Sequence, residues 1–195
     1  MGRLVSDKGP DLLLRAIARL KSVDLRPQLT IVGAGPEDAS LRAIVKELEI
    51  QSQVSFAGVK RGWELAELLN HHKIMVVPSL FHEPFGVVAL EGIACGCVVV
   101  GSEGGGLKDA VGSCGITFPN GDEQALADRL ETLLTVPESQ RPYRAKAAAH
   151  LSLHTKGVVA EAYVRVLEAT LYGMPIQSAV AGPAPRAESL TGTMR

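Results

Sequence analysis

A doubly wound α/β fold, a parallel sheet with helices on both faces, is the class this sequence predicts, and three observations carry it. Short β-branched runs recur between longer stretches whose apolar residues fall at helical spacing, the alternation that builds strand-helix-strand units. The runs themselves, such as Ile74-Met75-Val76-Val77 and Val98-Val99-Val100, are apolar at every position, as in strands buried on both faces. At 195 residues the chain has the length of one domain with a substantial core.

Pro10-Asp11 opens a first helix over 12–23, with Leu13, Ala16, Ile17 and Leu20 on one face. Leu29–Val32 reads as a strand, 37–48 as a helix, 54–56 as a strand and 63–69 as a short helix. Ile74–Val77 is a buried strand closed by Pro78-Ser79. The next helix starts near Gly86, although Val87, Val88 and Gly92 are poor helix formers taken singly. The strand 98–100 runs into a glycine cluster, and Gly115–Phe118 reads as the last strand. Asp122 caps a helix that carries Leu126, Leu130, Leu133 and Leu134. Helices follow over 138–151 and Lys156–Leu171. The folded domain is thus expected over 1–172. Residues 173–195, rich in alanine, proline, serine and glycine, read as a flexible tail.

Composition excludes several classes of function. A net charge of −1 argues against a nucleic-acid grip, which needs concentrated positive charge. No apolar run reaches the roughly 18 residues that span a bilayer, so at most peripheral membrane association and a cytoplasmic location are expected. The three cysteines, Cys95, Cys97 and Cys114, are odd in number and sit in apolar or glycine-rich surroundings, which favours free thiols. The aspartates are scattered and no metal site is expected. Gly33-x-Gly35 follows a strand but lacks the third glycine and acidic partner of a dinucleotide fingerprint, and reads as a tight turn.

Two carboxylates stand out. Glu83 and Glu91 bracket the glycine-containing loop that leads from the Ile74–Val77 strand into the next helix. The first amides of that helix lack intrahelical partners and carry the positive end of its dipole, so Gly86, Val87 and Val88 form a candidate phosphate pocket. Glu91, one turn in, can accept two ribose hydroxyls, as an acidic residue does in other doubly wound nucleotide sites. Spacing alone favours two solvated surface charges.

The setting of the pair is more specific. The stretch from Pro78 to Gly106, PSLFHEPFGVVALEGIACGCVVVGSEGGG, resembles the donor-binding signature of the family 4 glycosyltransferases, retaining enzymes of the GT-B fold. Further blocks resemble the same family in order: Gly2-Arg3-Leu4 through Lys8-Gly9, Val32-Gly33-Ala34-Gly35-Pro36, Val54-Ser55-Phe56-Ala57-Gly58 and Phe118-Pro119-Asn120-Gly121-Asp122.

The resemblance implies a Rossmann-like carboxy-terminal half of a GT-B fold. It implies a nucleotide diphosphate sugar as donor substrate, with no cofactor, and transfer of a glycosyl group to an acceptor hydroxyl with retention. Arg3 and Lys8 match the basic pair on the donor diphosphate. Glu83 matches the carboxylate facing the donor sugar and Glu91 the ribose partner. Phe85, Gly86, Val87 and Val88 would present backbone amides. Val59 and Lys60 stand where the family contacts the base, in a form that leaves base preference unreadable. Cys97-Val98 replaces the family's usual proline-containing step, and Asp109 stands where glutamate is commoner.

In such folds an apolar strand precedes the glycine-arginine-leucine block and lies mid-sheet. Only Met1 stands before Gly2. The expectation is a carboxy-terminal fragment, truncated product or half of a split enzyme, which needs a separate amino-terminal domain to bind a glycan, lipid or small-molecule acceptor. Alternatives are a non-catalytic nucleotide-sugar-binding subunit and a sugar-nucleotide epimerase.

Overall fold

The structure, a computed structural model, describes residues 1–175. The chain divides into two compact units, Met1–Leu151 and the segment from Ser152 onward. In the first unit five parallel strands make two sheets. β1 (Leu29–Val32) pairs with β2 (Val54–Gly58), Leu29 opposite Val54. β3 (Ile74–Val77), β4 (Val98–Ser102) and β5 (Gly115–Phe118) follow in that spatial order, with Ile74 opposite Val98 and Val99 opposite Gly115.

The helices of this unit are α1 (Pro10–Arg19), α2 (Asp38–Glu47), α3 (Gly62–Asn70), α4 (Val87–Ala94), α5 (Leu107–Val111), α6 (Glu123–Thr135), α7 (Arg141–Arg144) and α8 (Ala147–Ser152), the last crossing into the second unit. Strand alternation decides which helix packs on which face. Val98 and Val100 of β4 join Leu14 and Ile17 of α1 and Leu126 and Leu130 of α6 in one apolar cluster. Val99 turns the other way, joining Ala89 and Ile93 of α4 and Leu107 and Val111 of α5. β4 is buried along its whole length, which is why it reads as an unbroken valine run. In the second unit α9 (Lys156–Leu171) is capped by Thr155, whose hydroxyl accepts from the Val158 amide at 3.4 Å. Of the expected tail, residues from 176 on lie outside the described residues.

Three sequence expectations change. The first helix ends at Arg19 and continues as a 3-10 turn, Leu20–Val23. The single helix over 138–151 is a 3-10 turn followed by α7 and α8, because Pro142 and a run of small residues give it no continuous apolar face. α5 lies in what read as a glycine cluster only.

β1 and β3 do not pair with each other. Leu29 and Gly33 donate to Gln53 O and Gly58 O on the β2 side, so by alternation Thr30 and Val32 turn their amides and carbonyls to the opposite edge. There the chain's own start runs alongside: Gly2 N donates to Val32 O at 2.9 Å and Leu4 N to Ala34 O at 2.9 Å. Lys73 O accepts from Val98 N, so Ile74 and Val76 likewise turn their backbone groups away from β4. Between the sheets lies an apolar slot of about 300 Å³, lined by residues 29–32 and 74–77 together with Leu13 and Leu69.

Candidate functional site

The site forms where the loops leaving β3 and β4 meet the segment before α1. Gly9 caps α1 in the left-handed region, φ +61°, and a Cβ there would lie 2.1 Å from Pro78 O. The two loops therefore touch main chain to main chain. Asp7 O accepts from Leu80 N at 2.9 Å and Phe81 N at 3.2 Å. Replacing Gly9 with Ala is expected to force these loops apart and destabilise the fold by about 2 kcal/mol or more, read by chemical denaturation.

That approach delivers Lys8 to Glu83. Lys8 Nζ stands 2.5 Å from Glu83 Oε1, Ser79 Oγ donates to the same oxygen at 2.6 Å, and the ammonium lies 5.4 Å from the Phe81 ring centre. Ser79 is buried and Lys8 and Glu83 are half-buried. Burial pushes the Glu83 pKa up, but hydrogen bonds from Lys8 and Ser79 and the Lys8 charge outweigh it and hold the carboxyl below its ordinary value of 4.5. Glu83 therefore stands ionised at neutral pH.

A lowered folded pKa contributes stability that is present above the unfolded value and is lost as pH falls through the folded one. Stability should begin to fall as pH drops past about 4.5. Glu83→Gln should flatten that part of the acid slope, measured as urea midpoints against pH. Equal slopes in the two proteins would contradict the pairing.

The main chain of Glu83 is fixed as well. Gly106 N donates to Glu83 O at 2.7 Å, and Glu83 forms a parallel bridge with Gly105. Gly86, with φ +92°, starts α4, and a Cβ there would meet Leu107 Cδ1 at 2.6 Å. No side chain caps α4, so the amides of Val87 and Val88 open onto the site.

A second cavity, of about 400 Å³, is lined by Arg3, Val59, Lys60, Arg61, Val88 and Glu91, among others. The slot cavity is lined also by Arg3, Lys8, Glu83, Gly86, Val87 and Val88. Arg3 and Val88 border both, so the two cavities adjoin. Glu91 and Arg3 are exposed, and Lys60 pairs with Glu64 at 3.5 Å. The structure thus brings nine of the ten sequence-predicted residues to one continuous surface. Phe85 lines neither cavity and its side chain packs against the α4–α5 core cluster, while the role expected of it is that of its backbone amide.

Sequence reasoning did not assign Ser79, Arg61 or Asn120 a place here. The Lys8–Glu83 pair joins residues 75 apart, which no local pattern reports. Cys95, Cys97 and Cys114 are free, and burial pushes the Cys97 thiol up to about 11. Among the described residues no three metal-ligating side chains cluster and no helix is long and apolar enough to cross a membrane.

Residues 1–150 match the family described as Glycosyl transferases group 1. A D-inositol 3-phosphate glycosyltransferase of Stackebrandtia nassauensis is 38% identical over 76% of this chain and 35% of its own length. One of Corynebacterium jeikeium is 34% identical over 86% of this chain and 42% of its own. The chain thus spans well under half the length of these relatives. Among solved structures, sucrose-phosphate synthase from Thermosynechococcus elongatus superposes with a TM-score of 0.73 at 28% identity, over 88% of this chain and 45% of that one. Anabaena HepE in complex with UDP superposes at 0.71 over 89% and 48%, and at 23% identity its likeness is one of fold. On the family match over residues 1–150 and these sequence identities, the chain belongs to the group 1 glycosyl transferases.

Proposed function

We propose that this chain is the donor half of a retaining glycosyltransferase, holding a nucleotide diphosphate sugar while an acceptor hydroxyl is supplied from a separate amino-terminal domain. The observation that carries the reading is the adjoining of two cavities around Arg3 and Val88, one lined by Lys8 and Glu83 and the other by Glu91.

The nucleoside would lie in the second cavity, its ribose hydroxyls on Glu91 and its base towards Val59 and Lys60. The diphosphate would bridge the two cavities on Arg3, Lys8 and the free amides of α4. An ammonium has three donors, so Lys8 can keep Glu83 and still bind a phosphate oxygen. In the reaction the bond from the anomeric carbon to the donor phosphate breaks, and its electron pair leaves on the diphosphate. Arg3 and Lys8 neutralise that charge. The acceptor oxygen bonds to the anomeric carbon on the same face and its proton passes to the diphosphate. Glu83, held ionised, stabilises the positive charge that develops on the sugar. Two-carboxylate glycosidase logic does not apply, because it needs both acids beside the scissile bond, whereas Glu91 is assigned to the ribose.

HepE has been solved with UDP-glucose, and the curated relatives are named for inositol 3-phosphate. These are the first donor and acceptor to try. The test is thermal unfolding with UDP, GDP or ADP: a ligand at about 100 times its dissociation constant adds about 2.7 kcal/mol. A shift selective for one nucleotide supports the reading and names the base. No shift with any of them contradicts it.

A further inference from the structure

We propose that Asn120 is a positioning residue for Glu83, setting where the carboxylate stands by fastening both loops that hold it. Its consequence for sugar transfer rests on the donor-site reading above.

Asn120 lies between β5 and α6, and its carboxamide is fully used. Nδ2 donates to Ser79 O at 3.0 Å and to Leu80 O at 3.3 Å, while Oδ1 accepts from Gly104 N at 2.7 Å. The packing is direct, since a Cβ on Gly104 would lie 2.6 Å from Asn120 Nδ2. From these contacts two routes reach Glu83. Ser79, whose carbonyl Asn120 holds, points its buried hydroxyl at Glu83 Oε1. Gly104, whose amide Asn120 holds, leads within two residues to Gly106 N, which grips Glu83 O. Side chain and main chain of Glu83 thus both depend on one amide 37 residues further on. On its other flank the same segment is held by Asp7 O through the Leu80 amide.

The chemistry calls for a carboxamide. Two carbonyls need donors and one amide needs an acceptor, and asparagine supplies all three from one planar group. Alanine removes every partner. Serine reaches at most one, and aspartate would set an anion against two carbonyl oxygens. Asp122, in the same loop, provides a control: its carboxylate caps α6 by accepting from Ala125 N at 2.8 Å. Removing that cap lowers stability, an effect on the fold alone.

The experiment compares the chain with its Asn120→Ala, Asn120→Ser and Asp122→Ala variants, following the Glu83 side-chain carboxyl by NMR through a pH titration. UDP and UDP-glucose affinities are measured in parallel. In whichever Asn120 variant folds, the Glu83 titration should move upward as Ser79 and Lys8 lose their fixed geometry, and in Asp122→Ala it should stay. UDP-glucose should bind about tenfold more weakly, a loss of about 1.4 kcal/mol, while UDP changes less than about twofold. A folded Asn120 variant with an unmoved Glu83 titration overturns the proposal. If the parent chain binds neither nucleotide, the donor-site reading fails, and the titration still decides the role of Asn120.

Discussion

Glu91→Ala is expected to weaken nucleoside diphosphate binding by about 10- to 100-fold while leaving the melting temperature nearly unchanged. Glu91 is exposed, lies within α4 and lines the cavity that carries Val59, Lys60 and Arg3. Truncating an exposed helical glutamate to alanine typically alters stability by less than about 0.5 kcal/mol. A carboxylate that accepts two sugar hydroxyls contributes charge-assisted bonds of about 1.5 to 3 kcal/mol each, so one bond's worth already gives that range of affinity loss. Glu91→Gln, which keeps acceptor capacity without the charge, should fall between. Calorimetric titration with UDP checks it. An unchanged affinity in Glu91→Ala would remove the ribose assignment and return Glu91 to a solvated surface charge.

Filling the slot between β1 and β3 should raise the stability of the first unit markedly. Thr30, Val32, Ile74 and Val76 turn backbone groups into it, and Gly2 and Leu4 already follow the edge of β1 at one end. A strand laid there would gain hydrogen bonds of net value about 0.5 to 1.5 kcal/mol each. Four such bonds come to about 4 kcal/mol, which at this chain length corresponds to a melting-temperature rise of about 10 °C. Fusing five alternating valines and isoleucines ahead of Met1 tests this against a glycine-serine segment of equal length. Equal melting temperatures would mean that the two sheet edges are satisfied as they stand.

What was legible in the sequence was local. Ile74–Val77 and Gly115–Phe118 were read to the residue because β-branched runs bounded by proline, serine and glycine are written in neighbouring positions. The Asp122 cap was read for the same reason, and its bond to Ala125 N is present. α5 escaped because five residues are too short to show a period and Gly104–Gly106 signal only a turn. For the site, the resemblance supplied Arg3, Lys8, Glu83 and Glu91 singly. It did not supply the Lys8–Glu83 contact, the Ser79 hydroxyl behind it or the Asn120 clamp. Each of the two side-chain pairings that build the site at long range, Lys8 with Glu83 and Asn120 with Ser79, spans more than 40 residues, and only the folded sheet brings them together. The division of the strands into two sheets and the pairing of Gly2 and Leu4 with β1 needed the structure.

The most direct test of one donor site spanning both cavities is amide chemical-shift mapping of this chain as UDP-glucose is added. The expected result is saturable movement of the Val87, Val88, Glu91 and Val59 amides by the nucleotide, with Glu83 and Ser79 moving for UDP-glucose and much less for UDP. Movement confined to the slot residues 29–32 and 74–77, or none at the start of α4, would contradict a donor site built from these residues.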